Sequence, residues 1–260
     1  MPFVVLLAIL GLFVGSFLGV LVDRIPKNKP FLLGHSRCDF CKKELRWYEL
    51  IPVLSFIIQS GKCRNCEKPL SIFYPAIELT TGILFAFTYW LTIYYLQSTT
   101  YNLIFYLFII SNLIVVFFTD LKYGIIPNKI VFPAVCVTVL WLIVNHQPLV
   151  INHLLTAIGA SLFLILISAV YYFVRKKESM GGGDIKFAFL MGIILGFPNI
   201  VIAFYIAFLT GAFYSLILIL WGRLKLKDAI PFGPFLVLGT FITLYLGEKI
   251  LSLVSRWLNF

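Results

Sequence analysis

Eight long runs of apolar residues restrict this 260-residue chain to folds that cross a membrane. A bilayer core needs about 20 apolar residues per helix, within a range of ~17–25. Most of the runs reach this length, whereas the fourth and sixth are marginal and need flanking residues or local thinning to cross. Hydrophobic residues make up 61% of the chain and charged residues only 12%, which excludes a water-soluble domain. The runs are Pro2–Val22, Pro75–Leu96, Leu103–Thr119, Ile130–Val144, Leu154–Val174, Ile185–Phe197, Ile200–Trp221 and Phe232–Leu246.

We therefore predict an all-α polytopic membrane protein with about eight transmembrane helices. Lysine and arginine residues lie almost entirely on one side of these spans. Ten are in 23–74, two in 120–129, four in 175–186 and three in 222–228, against two, near the C-terminus, on the other side. The positive-inside rule then places these four segments in the cytoplasm and both termini outside. The net charge of +10 is interpreted as a topology signal rather than as a surface for nucleic acid.

Residues 23–74 interrupt the apolar pattern and predict a small cytoplasmic insert between the first span, 1–22, and a seven-helix membrane domain, 75–260. The insert contains a repeat, CDFCKKEL and CRNCEKPL, of the form C-x-x-C-x-x-x-L. Thiols in the reducing cytosol favour metal binding over disulfides. Two such pairs supply four thiolates to one tetrahedral zinc ion, with no position left for water or substrate, so we predict a structural site. Its ligands are Cys38, Cys41, Cys63 and Cys66.

Two aspartates lie at ends of predicted spans, and both are on the cytoplasmic side. Asp120 ends the third span, and Asp184 begins the sixth in KESMGGGDIK. Taken singly, Asp184 could be only a helix N-cap and Asp120 only an exposed charge at a helix end. Taken together, they have the same predicted depth and side, so packing of these two spans would pair them. Two carboxylates held close share a proton, which suits them to activate water and protonate a peptide carbonyl.

Three consecutive glycines precede Asp184, and their lack of side chains suggests why they are there. A run without Cβ atoms allows unusual backbone dihedrals and the close approach of an extended substrate strand. We expect both properties at Gly181–Gly183.

Several of these elements, in the same order, resemble the bacterial type IV prepilin peptidases, the G-x-G-D aspartic proteases of the inner membrane. MGGGDIK has the G-x-G-D form, and DLKYGIIPN is similar to the family's D-x-x-x-x-x-I-P element. Further similarity extends through GSFLGVLVDRIP, the cysteine knuckles joined by ELIPVLS, YPAIELTTG and IPFGPFLVLG. The resemblance covers almost the whole chain.

The resemblance implies roles for individual residues. Asp120 and Asp184 would be the catalytic pair, Gly181 and Gly183 the glycines of the motif, and the four cysteines the zinc ligands. The reaction would remove the short basic leader from prepilins or pseudopilins, next to the start of the substrate's apolar helix in the lipid. It would take place at the cytoplasmic face of the bacterial inner membrane.

Many members of the family also methylate the new N-terminal amine with S-adenosylmethionine, an activity linked to the insert and the start of span two. Glu78 and Gly82 are then candidates for methyl transfer. The alternative is that Glu78 is a buried structural partner of a basic residue and that Gly82 allows close helix packing.

Two other functions remain open. One is a different G-x-G-D membrane protease, against which the cysteine insert argues. The other is a non-enzymatic zinc-knuckle scaffold for pilus or secretion assembly. Type IV pilins, secretion pseudopilins and competence pilins are all possible clients.

Overall fold

In the computed structural model, nine α-helices account for most of the described chain, which comprises residues 2–31, 36–38, 40–95, 99–145, 150–176, 180–223 and 230–257. No β-strand occurs among these residues; two isolated bridges lie in the insert. A 3₁₀ turn at Trp47–Leu50 precedes α2, and a π-helical turn, Trp90–Tyr95, extends α3. The helices are α1 (Pro2–Arg24), α2 (Leu54–Ile58), α3 (Phe73–Tyr89), α4 (Thr100–Tyr123), α5 (Asn128–Val144), α6 (Val150–Arg175), α7 (Gly182–Leu195), α8 (Asn199–Leu220) and α9 (Gly233–Trp257).

The helices confirm the predicted all-α polytopic class. In the described residues, six helices are long and apolar enough to cross a membrane, namely α1, α3 with its π-helical turn, α4, α6, α8 and α9. The two remaining predicted spans form α5, of 17 residues, and α7, of 14 residues. These are the runs whose length was marginal in the sequence.

The chain divides into two compact units, residues 1–115 and 116–260, with the division inside α4. In the first unit, α1 packs along α3 at very short range. A Cβ on Gly15 would lie 2.7 Å from the Cα of Glu78, and one on Gly11 would lie 2.8 Å from the Cα of Gly82. The helix backbones can approach this closely because small residues lie at the contact.

In the second unit, α7 is the central helix and contacts α5, α6, α8 and α9. After Lys186 it is apolar on all sides, and Phe187, Leu190 and Met191 are fully buried. A helix that is hydrophobic all round belongs in a core. Protein therefore surrounds α7, and this central position holds Asp184, in its first turn, within the protein.

Candidate active site and metal centre

The two predicted catalytic aspartates line the same cavity of about 390 Å³ in the second unit. Asp120 comes from the last turn of α4, and Asp184 comes from the first turn of α7. The rest of the wall consists of residues 124–128, Gly181–Gly183 and Lys186. A larger cavity of about 670 Å³ lies between α6 and α8, but its lining is mostly apolar and contains no carboxylate. The smaller cavity is therefore the candidate for chemistry.

Asp120 is buried, and one of its oxygens is held by the backbone of another helix. The N–H of Gly233 donates to its Oδ2 at 2.9 Å. Gly233 begins α9, Pro234 has no N–H, and the N–H of Phe235 already donates to the carbonyl of Phe232. Because helix starts leave backbone donors unsatisfied, the Gly233 amide is available to the carboxylate. The interpretation of Asp120 as an exposed end-of-helix charge is wrong.

Asp184 is also buried, and it is not the N-cap residue of its helix. The N-cap of α7 is Gly181, and there is no side-chain cap hydrogen bond. Asp184 is the third residue of the helix, and its own N–H donates to the carbonyl of Gly181 at 3.1 Å. The N-cap alternative is therefore wrong, and the carboxylate lines the cavity instead.

The glycine run does not adopt unusual dihedrals, so this part of the expectation is wrong. Gly181 has φ −70° and ψ 146°, ordinary extended values, and none of the three glycines has a φ in the left-handed region. What the structure requires of the run is the space left by a missing Cβ at Gly183. A Cβ on Gly183 would lie 3.0 Å from the Cβ of Ile126, whereas one on Gly182 would meet nothing within 4 Å. Gly183 thus allows the loop after α4 to pack against the start of α7.

That loop forms the opposite wall of the cavity. Gly124 ends α4 with φ +64°, and its N–H donates to the carbonyl of Asp120 at 2.8 Å. Pro127 then caps the start of α5. At the rim, the Nζ of Lys186 donates to the Oδ1 of Asn128 at 3.1 Å, which links the two walls.

The four cysteines come together in the first unit with the geometry of a metal site. Their sulfurs all lie within 4.8 Å of one another, with Cys38 and Cys66 3.8 Å apart and Cys41 and Cys63 3.9 Å apart. Tetrahedral zinc with Zn–S bonds of about 2.3 Å places its sulfurs roughly 3.8 Å apart. The cluster is therefore compatible with a structural zinc ion.

The two knuckles have the same backbone conformation, as their shared sequence suggests. In each, the N–H of the first cysteine donates to the carbonyl five residues later at 3.0 Å. Lys42 and Glu67, each four residues after that cysteine, both have positive φ, 59° and 55°. Each repeat thus forms the same tight turn and presents two sulfurs to the same point.

Backbone N–H groups in these turns prepare the thiols for a cation. The N–H of Lys43 lowers the pKa of Cys41 to about 6. Amides of Asn65 and Cys66 lower the pKa of Cys63. Although the Lys68 amide lowers the pKa of Cys66, burial and the three neighbouring thiols raise it to about 11. Four adjacent thiolates repel one another, so full ionisation needs a bound positive ion.

Glu78 and Gly82 lie in α3 and serve as contacts in the first unit. The Oε2 of Glu78 accepts a hydrogen bond from the backbone N–H of Val53 at 2.7 Å. A Cβ on Gly82 would lie 2.9 Å from the Cδ2 of Leu12 and 3.1 Å from the carbonyl oxygen of Ala8, both in α1. The packing alternative thus has a contact for each residue, although the partner of Glu78 is a backbone amide. Their role in methyl transfer stays a prediction.

The sequence does not indicate two residues that contact the motif residues of the cavity, Gly233 and Ile126. Gly233 lies in the quoted element IPFGPFLVLG, but nothing in its spacing indicates a bond to a residue 113 positions earlier. Ile126 lies in DLKYGIIPN, where it reads as one more apolar residue. Only the packing of the chain shows their contacts with the motif residues.

Two family models match the chain. The bacterial peptidase A24 N-terminal domain matches residues 9–92, and the type IV leader peptidase family matches residues 107–216. The prepilin leader peptidase/N-methyltransferase of Bacillus subtilis (strain 168) is 33% identical over 250 residues, covering 95% of this chain and 96% of that protein.

Other relatives with the same name align over nearly their full lengths. The Legionella pneumophila protein is 30% identical over 282 residues, covering 96% of this chain and 95% of its own. The Pseudomonas aeruginosa protein is 28% identical over 288 residues, covering 100% and 96%. No solved structure matches the chain.

Proposed function

The chain belongs to the type IV leader peptidase family, and from this premise we propose that it is a membrane aspartic endopeptidase that removes the basic leader from prepilins or pseudopilins. We also propose that it methylates the new N-terminal amine with S-adenosylmethionine, as the names of its relatives suggest for them. The cleavage site would lie at the cytoplasmic face of the inner membrane, with both termini outside.

The observation that carries this proposal is the presence of two buried carboxylates, Asp120 and Asp184, on one small cavity. In the proposed mechanism, the ionised member of the pair takes a proton from water, and the water attacks the scissile carbonyl. The protonated member donates to the carbonyl oxygen. It then receives a proton back when the tetrahedral intermediate collapses, while its partner delivers the other proton to the leaving amine. No covalent intermediate with the protein is required.

The hydrogen bond from Gly233 and the burial of Asp120 would limit the rotation of its carboxylate. A reacting carboxylate held in place loses less entropy on reaching the transition state than a freely rotating one. Because Gly181 is exposed at the cavity edge, an extended substrate backbone has room beside Asp184. Gly181 and Gly183 thus have different proposed tasks, since the first leaves space for substrate and the second for Ile126.

Membership of this family also suggests separate roles for three parts of the chain. We propose that 1–22 is a membrane span, that 23–74 is a zinc-binding insert linked to methyl transfer, and that 75–260 carries the peptidase site. Zinc, bound by the four cysteines, would supply structural cross-linking rather than chemistry, since protein thiolates fill its four positions. Glu78 and Gly82 remain candidates for methyl transfer.

The test is a cleavage assay with purified protein, a prepilin and S-adenosylmethionine, read by mass spectrometry of the product's N-terminus. We expect wild type to release the leader and add a methyl group. Asp120→Asn and Asp184→Asn should each lower the cleavage rate by about 10²–10⁴-fold while substrate still binds. Asp23→Asn, a carboxylate of the first unit, is the matched control and should still cleave.

The same assay separates the peptidase from a non-enzymatic scaffold. If wild type with zinc bound and the fold intact leaves the prepilin uncut, the peptidase proposal fails and the scaffold is favoured. If both Asn variants cleave at the wild-type rate, a protease is present but these two aspartates do not catalyse the reaction.

A further inference from the structure

The insert exposes an apolar segment, Trp47–Ile58, that its predicted cytoplasmic position does not explain. Trp47 is 78% exposed, Leu54 57%, Ile57 64% and Ile58 70%. Contiguous exposed hydrophobic side chains mark a surface that contacts something other than water. At 12 residues, the segment is too short to cross a bilayer, and an apolar stretch of this length belongs either in a protein core or in the interface. The exposure of its side chains excludes the core.

A hydrogen bond fixes the depth of this apolar segment relative to the spans of the first unit. The N–H of Val53, immediately before α2, donates to the carboxylate of Glu78 in α3. Glu78 lies five residues after Phe73, the first residue of α3, which is about 7.5 Å along a helix axis. Val53 therefore lies beside the first turns of α3 rather than apart from this helix.

A second contact marks where the cytoplasmic end of these spans lies. The hydroxyl of Tyr74 donates to the carboxylate of Asp23, the first charged residue after the apolar run of α1. Glu78 is one turn further along α3, about 6 Å deeper than Tyr74. Interfacial helices bury their apolar faces by about 5–10 Å at the boundary between headgroups and acyl chains. The contact of Val53 with the Glu78 carboxylate fits a position of Val53 and the start of α2 in this range.

The charge of the insert complements the same environment. Residues 23–74 contain ten lysines and arginines against five aspartates and glutamates. Basic residues next to a membrane are attracted to anionic headgroups, and tryptophan is enriched at the interface. The exposed aliphatic side chains, the depth of Val53 and the excess positive charge all fit one partner, an anionic lipid surface.

We propose that the apolar segment is embedded in the interfacial layer of the bilayer, with Leu54, Ile57 and Ile58 against acyl chains and neighbouring basic residues on anionic headgroups. The zinc knuckles on either side of it are thereby held at the membrane surface. This inference concerns the insert and its contact with α3, and it does not depend on the peptidase activity.

Site-specific photocrosslinking tests the proposal. Ile57 is replaced by a photoreactive phenylalanine analogue, and the full chain is placed in vesicles of phosphatidylethanolamine and phosphatidylglycerol. Lys43, an exposed residue of the first knuckle, receives the same analogue as the matched control. We expect phospholipid adducts by mass spectrometry at 57 and none above background at 43, with the zinc content of wild type in both proteins.

Two results would overturn the proposal. One is the absence of lipid adducts at 57, or equal adducts at 57 and 43. The other is crosslinking at 57 to a second copy of the chain or to added prepilin in place of lipid, which would make the segment a protein-docking surface.

A second arm tests the tether through Glu78. Glu78→Gln keeps an oxygen that can accept from the Val53 N–H, whereas Glu78→Leu does not. We expect the lipid adduct at 57 to be retained with Gln and reduced several-fold with Leu. Equal adduct in both variants would show that the hydrogen bond does not set the depth of the segment.

Discussion

The cysteine cluster and the carboxylate cavity are assembled in opposite ways. Each half of the cluster is a short repeat that closes on itself, so eight residues of sequence determine where two sulfurs point. The cavity instead takes Asp120 from α4, Asp184 from α7 and a backbone donor from the start of α9. The cluster therefore depends on turns and a cation, whereas the cavity depends on helix packing.

Zinc removal should have the largest effect, and it should be confined to the cluster. Structural zinc contributes on the order of 10 kcal/mol to small domains of this kind, so a strong chelator or Cys38→Ser should unfold the insert. Hydrogen exchange should rise across residues 36–70 and stay unchanged in α5–α9. Cys136→Ser, outside the cluster, is the control, and full zinc retention by Cys38→Ser would show that the four thiols are not one site.

Gly233→Ala should damage the cavity without loosening the cluster. A Cβ there would lie 2.6 Å from the Oδ2 of Asp120, so the carboxylate must move. Displacement of a catalytic group by about 1 Å can cost roughly 10²-fold in rate, and we expect kcat for leader cleavage to fall by about this factor. Gly159→Ala in α6, where a Cβ meets nothing within 4 Å, is the matched control. Equal rates for the two variants would contradict the positioning of Asp120 by α9.

Gly82→Ala tests whether Gly82 serves the packing of α1 against α3 or methyl transfer. The added Cβ crowds Leu12 and Ala8, and overpacking of this kind costs about 1–3 kcal/mol. We expect a lower thermal unfolding temperature in detergent, with methylation per folded molecule retained. Gly19→Ala, where the nearest atom is a Tyr74 ring carbon at 3.3 Å, should be milder. Lost methylation at unchanged stability would instead support the methyl-transfer role.

Gly183→Ala should have the smallest effect and separates two glycines of one motif. Its Cβ would press on Ile126 at 3.0 Å, which we expect to cost about 1 kcal/mol and to slow leader cleavage roughly five-fold. Gly182→Ala has open space and should cleave like wild type in the same assay. If Gly182→Ala slowed cleavage more than Gly183→Ala, substrate contact at Gly182 would matter more than the contact of Gly183 with Ile126.

Much of the fold follows from the sequence because its signals are local. Apolar runs determine where α1, α3 and α4–α9 lie, and the predicted family is confirmed by the matches over both halves of the chain. The cysteine spacing predicts the cluster because both knuckles are hairpins. The marginal length of the sixth run likewise agrees with the 14 residues of α7.

What the sequence does not reveal depends on contacts between distant helices. The bond from Gly233 to Asp120 joins positions whose separation has no period or motif. The expectation of unusual dihedrals at Gly181–Gly183 is wrong, and at Gly183 glycine is needed instead for the space that Ile126 occupies. The hydrogen bond from Val53 to Glu78 could not be predicted for the same reason, because ELIPVLS has the local pattern of an apolar turn.

The shortness of α7 also determines what the cavity senses. Fourteen residues measure about 21 Å, less than the roughly 30 Å of a hydrocarbon core. Because α5, α6, α8 and α9 surround this helix, its deficit is made up by protein and not by lipid. A change in acyl-chain length would act first on the longer outer helices, whereas the surroundings of Asp184 are protein. We therefore expect the position of the Asp184 carboxylate to be insensitive to the thickness of the bilayer.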